Sequence, residues 1–384
     1  MAAIKQPKRG SLHRSEAIWG YLFIAAPLIG FLIFGAGPLI GSLVIGFTQW
    51  DLASPPEFVG TENYANTLSL SLQPLARELD EATGEPMYRC GRERVPESRL
   101  NEFTTGQIDP ITNAPYICEV RYARASSALP SGYEEWFQFG IGEQRYIVGA
   151  IDPVFWKSMF NTFFLLLSLP ITIVFSLIFA IAMNQRIIGS NLFRTIYYTP
   201  VILPIAALAL IWLWLFNPDY GLINYALGQL GLDSNINWLG NPVTVKPAII
   251  IMMVWKGLGY QVLIYLAGLQ SIPRHLHEAA MIDGANVWQR FRAVTWPALT
   301  PTTFFLVITS MIGVFQVFQE PYLMTNGGPY FESTTMVMVI QQNAFRDTQM
   351  GYASAQAWIL GVIIIAVTLL NFYVSRRWVQ YEAS

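Results

Sequence analysis

Charge, histidine and cysteine are all scarce in this sequence. Asp, Glu, Lys and Arg together make 12% of its 384 residues, about half the share of an ordinary soluble domain. Hydrophobic residues make 53%, which excludes a solvated globule as the home of most of the chain. Three histidines and two cysteines leave little for a metal centre. His275 and His277 stand before Glu278 in HLHEAA. The spacing is not H-E-x-x-H and no further ligand completes a tetrahedral set, so no metal site is expected. No G-x-x-x-x-G-K-[ST] occurs, so the chain has no phosphate loop of its own. No G-x-S-x-G, paired-carboxylate or Cys/His arrangement offers a nucleophile with its base. No catalytic residue is assigned, the chain is expected not to be an enzyme, and neither a bound cofactor nor nucleic acid is expected.

Long apolar runs are what the sequence has instead. Six are readable, at about Ile18–Phe47, Ser158–Met183, Leu192–Phe216, Pro247–Leu269, Thr302–Phe318 and Ala355–Val374. Each is near the roughly 20 residues that cross about 30 Å of hydrocarbon. The first is too long for a signal-peptide core and lacks a small-residue cleavage site after it, so it reads as an uncleaved membrane helix. Lys5, Lys8, Arg9 and Arg14 precede it, and Arg186 and Arg194 flank the second connection. Arg274, Arg290 and Arg292 lie between runs four and five, and Arg376 and Arg377 follow run six, whereas the intervening short segments offer only Lys246 and Arg346. The excess of basic residues on alternate connections puts both termini, and the stretch Ile272–Pro301, in the cytoplasm. The fold expectation is therefore an all-α polytopic membrane protein with six transmembrane helices. Tails occupy residues 1–17 and 375–384, and a core over 157–374 holds helices two to six. Pro27, Pro38, Pro170, Pro200 and Pro204 punctuate the runs, which membrane helices tolerate where neighbours satisfy the freed backbone groups.

Residues 48–156 form a long extracytoplasmic segment, with an inserted subdomain at about 67–150. Cys90 and Cys118, the only cysteines, both fall in it. In an oxidising compartment they read either as a disulfide or as two free thiols sharing one segment. Trp136, Phe137, Phe139, Tyr146 and Val148 can supply a small core, and a loop this long without structure of its own is uncommon.

Polar groups within the apolar runs are the next candidates. Lys256 lies near the middle of run four, where a bare cation is costly. Gln316 and Gln319 are spaced i, i+3 at the end of run five, which puts them on one helix face. They line a substrate path or hydrogen-bond between helices, and Lys256 either joins that path or snorkels or faces a subunit interface. Asn161 and Asn184, near the ends of run two, read as interfacial. In the cytoplasmic stretch at 271–297, Glu278 to Asp283 is a good helix former and Gly284 ends or bends it. A second short helix follows, with Ala285, Trp288 and Phe291 on one face, before Pro297 and Pro301 lead into run five. The pair of helices makes a docking knob for a partner protein or an ordinary interfacial loop.

The residues EAAMIDGA, followed by FRAVTWPALTP, resemble the EAA signature of permease subunits of ABC importers. Glu278, Ala279, Ala280, Asp283, Gly284, Ala285, Phe291 and Pro297 fall where that family puts those types. LAGLQSIP, FQVFQEPYLMTNGGP, FVGTENY and DPVFWKSMFNT extend the resemblance to the carbohydrate-uptake branch, with maltose-type, multiple-sugar and glycerol-phosphate members. It runs from the first span to the C-terminus except near Thr67 to Ala150, about 85 residues that most relatives lack. The resemblance implies a prokaryotic inner-membrane permease for a sugar, or for another small solute such as glycerol phosphate. It also implies a second permease subunit, two ATPase subunits that hold ATP and magnesium, an extracytoplasmic solute-binding protein and a lipid surround. Alternating access would be driven through the EAA loop. An ion-gradient carrier would show intramembrane carboxylates and repeats, and no acidic residue lies within the six runs. A membrane scaffold using the insertion for adhesion is the remaining alternative.

Overall fold

The computed structural model describes residues 9–104, 117–142, 144–185 and 190–380; Lys5, Lys8 and Arg186 lie outside them. In chain order the helices that matter are α1 (Glu16–Ile45), α2 (Pro153–Met183), α3 (Thr195–Ile202), α4 (Ile205–Leu215), α5 (Val245–Ser271), α6 (Arg274–Ile282), α7 (Val287–Phe315), α8 (Gln319–Thr325) and α9 (Met350–Ser375). Among the described residues α1, α2, α5, α7 and α9 are each long and apolar enough to cross a membrane. The pair α3–α4 makes a sixth span if it counts as one, but it is bent by 111°. The third span expected over Leu192–Phe216 is therefore interrupted by a sharp bend. Pro204 has no N–H to continue the helix and drives Leu203 out of the α region, so the chain turns there. Its own backbone is extended, with ψ 136°.

Two compact units divide the chain: Met1–Tyr64 with Ile340–Ile359, and Ala65–Val339 with Leu360–Ser384. In the first, the end of α1 is fastened by Asn63, whose Nδ2 donates to Gly46 O (3.0 Å) and Thr48 O (2.9 Å). β1 (Thr48–Gln49) and β2 (Glu57–Phe58) pair beside it. Gly351 backs directly onto Thr48 O, where a Cβ would sit only 1.8 Å away. Trp358 Nε1 donates to Ser42 Oγ at 3.2 Å. The side chains of α1 are otherwise exposed over its most apolar window, as suits a helix with lipid or another subunit around it.

The second unit holds the packed helices. Asp152 caps α2, accepting from Phe155 N–H at 2.8 Å, with Pro153 at the first helical turn. One cluster gathers Leu208, Ala209 and Trp212 of α4 with Ile249, Ile250 and Met252 of α5. A second joins Ile173, Leu177 and Ala180 of α2 to Val262 and Tyr265 of α5 and Leu299 and Leu306 of α7. Gly259 lets α5 and α3 approach closely, because a Cβ there would fall 2.2 Å from Tyr197 O.

The insertion departs from the all-α expectation. Its strands are β3 (Leu70–Pro74), β4 (Met87–Cys90), β5 (Glu93–Pro96), β6 (Cys118–Val120), β7 (Glu134–Ile141) and β8 (Gln144–Ala150), in two antiparallel sheets of order β3-β8-β7 and β5-β4-β6. The chain is mostly helical, and among the described residues β structure is confined to this insertion and the short β1–β2 pair. In the smaller sheet Cys90 lies opposite Cys118 and the two are joined as a disulfide. Cys90, Val95 and Phe103 are buried beneath it with Tyr88 and Leu100. Too few apolar residues are present there for a sizeable core, so the covalent link carries much of the stability.

Gly259→Val is expected to lower the thermal-unfolding midpoint in detergent and the monodisperse yield, since its side chain meets backbone. Gly361→Ala, which meets nothing within 4 Å, should match the parent. Equal behaviour of the two variants would contradict the close α3–α5 packing.

Candidate functional site

Two charged clusters tie non-spanning segments to the spans. Lys246, at the start of α5, is buried and donates to Asn161 Oδ1 (3.0 Å) and to Glu332. Glu332 also takes Lys157 of α2 at 2.9 Å. Asn161, fully buried, spends its Nδ2 on Phe331 O (2.8 Å) and Thr334 O (2.9 Å). Asn161 is thus an interior clasp, not the interfacial residue expected. Its amide supplies donors and an acceptor at once, which few side chains can. Burial pushes the Glu332 carboxyl up, but hydrogen bonds and charge from Lys246 and Lys157 outweigh it and hold the group below its ordinary 4.5.

The second cluster faces a cavity of about 510 Å³ between α2, α3, α5, α7 and α8. Lys256 meets Glu320 at 2.7 Å across it, and Gln316 and Gln319 line the same space. The two glutamines do not share a helix face. α7 ends at Phe315, the backbone turns at Gln316–Phe318, and Gln319 opens α8. Lys256, only partly buried, has a partner in Glu320, which is 8% exposed; a buried carboxylate demands such a counter-charge. Gln261 also lines the cavity. It is 4% exposed, donates to Ser310 Oγ at 3.0 Å, and leaves its Oε1 without a partner among the described residues. A buried acceptor of this kind lacks the hydrogen bond that burial ordinarily demands. Tyr260 and Phe318 add ring surface.

The residues of the EAA pattern form an elbow. α6 buries none of its side chains. It ends in a paired turn in which Gly284 N–H reaches Met281 O (3.1 Å) and Ala285 N–H reaches Ala280 O (2.9 Å). That turn needs a left-handed residue, and Gly284 supplies it at φ +77°. Asn286 then caps the next helix in a reciprocal box with Gln289 (2.8 and 2.9 Å). This helix is not a separate short piece. It runs through a π turn at Phe291–Thr295, where Trp296 N–H bonds to Phe291 O, straight into the span. Pro297 lacks the N–H that would continue regular α bonding, which explains the local widening. Phe291 packs inward on the α2–α5–α7 cluster, and Pro297 is half-buried. Glu278, Ala279, Asp283 and Gly284 are exposed, Ala280 and Ala285 partly so. Met281, Ile282, Val287 and Trp288 leave an apolar tip in the open.

Lys256, Gln316 and Gln319 are thus brought together, whereas the elbow residues form their own site. Gln261, Ser310 and Glu320 were missed by sequence reading. Glu320 follows Gln319 directly and is the lone acid of FQVFQEPYLMTNGGP, a signal that was available. Gln261 carried none, because one amide in an apolar helix is commonplace.

A family model described as "Binding-protein-dependent transport system inner membrane component" matches residues 153–380. The chain is 30% identical to the probable ABC transporter permease protein YesP of Bacillus subtilis, over 98% of this chain and 96% of that one. It is 35% identical to the trehalose/maltose transport system permease protein MalF of Thermococcus litoralis, over 62% of this chain and 80% of the relative. By fold, it is similar to a chain of a bacterial alginate ABC transporter solved in complex with an alginate pentasaccharide-bound periplasmic protein. There the TM-score is 0.62, covering 96% of this chain and 98% of that one at 19% identity.

Because the folded-state pKa of Glu332 is depressed, its contribution to stability is complete above the ordinary carboxylate value and is lost as pH falls through the folded value. Resistance to thermal unfolding in detergent should therefore fall with acidification below about pH 4.5. Glu332→Gln should cost about 1–3 kcal/mol at pH 7 and flatten that acid dependence. An unchanged acid limb in the variant would contradict the clasp.

Proposed function

As the chain belongs to the family of binding-protein-dependent transport system inner membrane components, we propose that it is the permease subunit of an ATP-driven sugar importer in a prokaryotic inner membrane. The observation that carries the mechanism is the continuity of the elbow with the span: the helix that begins at the exposed tip is the one that lines the cavity. A push on Trp288 moves a continuous helix and not a loop. Arg274, Arg290 and Arg292 support a cytoplasmic tip and termini, with the insertion on the outer side. The partners are a second permease, two ATPase subunits carrying ATP and magnesium, and a solute-binding protein on the outer face. ATP-driven closure of the ATPases would bias the elbow between two arrangements and open the cavity alternately to each side.

The cavity supports a sugar. Gln261 Oε1 accepts a hydroxyl, Gln316, Gln319 and Ser310 offer further polar contacts, and the rings of Tyr260 and Phe318 give a sugar a flat apolar face. Lys256 carries no free charge toward the solute because Glu320 holds it, which favours a neutral sugar over glycerol phosphate. Named functions among the relatives include trehalose or maltose for one and lactose for another, beside sn-glycerol-3-phosphate for a third.

Two outcomes test this. In proteoliposomes with the partner subunits, Gly284→Val should lower ATP-driven uptake at least tenfold while membrane insertion persists, and Gly284→Asn, which tolerates positive φ, should retain most of it. Uptake by the valine variant at the parent rate would sink the elbow's role. Gln261→Leu should raise the uptake KM about tenfold, the size of about 1.4 kcal/mol, without altering solute affinity of the isolated binding protein. An unchanged KM would remove Gln261 from the path.

A further inference from the structure

The smaller sheet of the insertion has one face that its fold does not use. Tyr88, Cys90, Val95 and Cys118 point to the buried side. The opposite side takes Arg89, Arg94 and Glu119, because strand alternation sends these residues the other way. The register sets Arg89, on the central strand, between Arg94 and Glu119, with Cβ atoms about 5 Å apart across each pair, so one neighbour is of like and one of opposite charge. Arg92 joins them from the hairpin turn, where Gly91 provides the positive φ of +62°. These three, with Arg121, Glu119 and Tyr122, line a cavity of about 460 Å³.

Among the described residues the acids answer this charge only in part, since Glu119 lies opposite Arg89 in the register but makes no ion pair. Arg121 is held by Glu78 at 2.7 Å. Arg89 uses Nε on Gly91 O at 3.1 Å, which leaves its terminal amines. Among the described residues Arg92 and Arg94 have no carboxylate within 4 Å and make no side-chain hydrogen bond, and Glu119 forms no salt bridge. A hairpin that places like charges side by side around a concavity is destabilised unless an anion arrives.

We propose that the Arg89–Arg92–Arg94 face of the insertion is a binding site for the carboxylates of an acidic oligosaccharide. Guanidinium forks pair bidentately with planar carboxylates. Three forks on one hairpin suit a polymer with a carboxylate on each sugar better than one compact anion. The site is separate from the membrane cavity and stands whether or not that cavity carries the transported solute.

Titration of the full chain in nanodiscs tests this, with tri-galacturonate, maltotriose and inorganic phosphate as probes. Tri-galacturonate should bind at least tenfold more tightly than either other probe and should weaken as salt rises. Arg89→Gln with Arg94→Gln should reduce its affinity at least tenfold. Arg99→Gln, tied to Glu102 outside the cavity, should leave it unchanged. Retention of the Cys90–Cys118 bridge, read by mass spectrometry of non-reduced peptides, reports that the sheet still folds. The proposal is overturned if tri-galacturonate does not bind, if the double variant binds it equally, or if maltotriose or phosphate binds as well. It is equally overturned if the arginines prove to be needed only for docking an acidic protein.

Discussion

Lys256 lies in the middle of an apolar helix, and the acid that meets it, Glu320, stands 64 residues later in the chain at 2.7 Å. A cation so placed must be partnered or kept wet, because a bare one is costly at that depth. The same demand recurs at Lys246, answered by Glu332 and Asn161. Both carboxylates, Glu320 and Glu332, come from segments that do not span. α8 is pinned to α5 by one pair, and the stretch from Phe331 to Thr334 is pinned to α2 and α5 by the other. The pairing therefore fixes where the chain turns after α7, and with it one wall of the cavity.

The elbow follows a different logic. Nothing buries α6, so its geometry comes from local chemistry alone: a left-handed glycine, two backbone bonds closing the turn, and a capping box that starts the next helix. Local bonds of this kind hold a shape without needing a core behind it. The exposed apolar tip is then free to be covered by another protein, while Phe291 fastens the far side of the turn to the packed helices. A docking element that is both preformed and anchored can transmit displacement to the spans, which suits a subunit worked by a separate motor.

How much was readable in advance depended on whether a feature was local. Helical spans, the glycine at 284 and the paired cysteines are signals of composition or of a few neighbouring residues, and they could be seen directly. The bend of α3–α4 was legible in principle, since Pro200 and Pro204 sit in the run, but proline is tolerated in membrane helices and does not say which one breaks. Gln316 and Gln319 were assigned to one helix face because periodicity does not mark where α7 stops. The partners of Lys256 and Lys246 were not visible at all, since pairing across 64 or 86 positions leaves no trace in spacing. The insertion's β structure was hidden for a related reason: its strands are short, three to eight residues, and interrupted by proline and glycine.

The central claim is that ATP-driven motion at the elbow reshapes the cavity between α3 and α8. Spin labels at Val201→Cys and Gln319→Cys, both on the cavity wall, report it by electron–electron distance measurement in the reconstituted transporter, the native cysteines being bridged. The account predicts that the label separation shifts by several ångströms between the nucleotide-free and ATP-trapped states, and that Gly284→Val abolishes the shift. A separation that stays fixed in the parent while the ATPase cycles would contradict it.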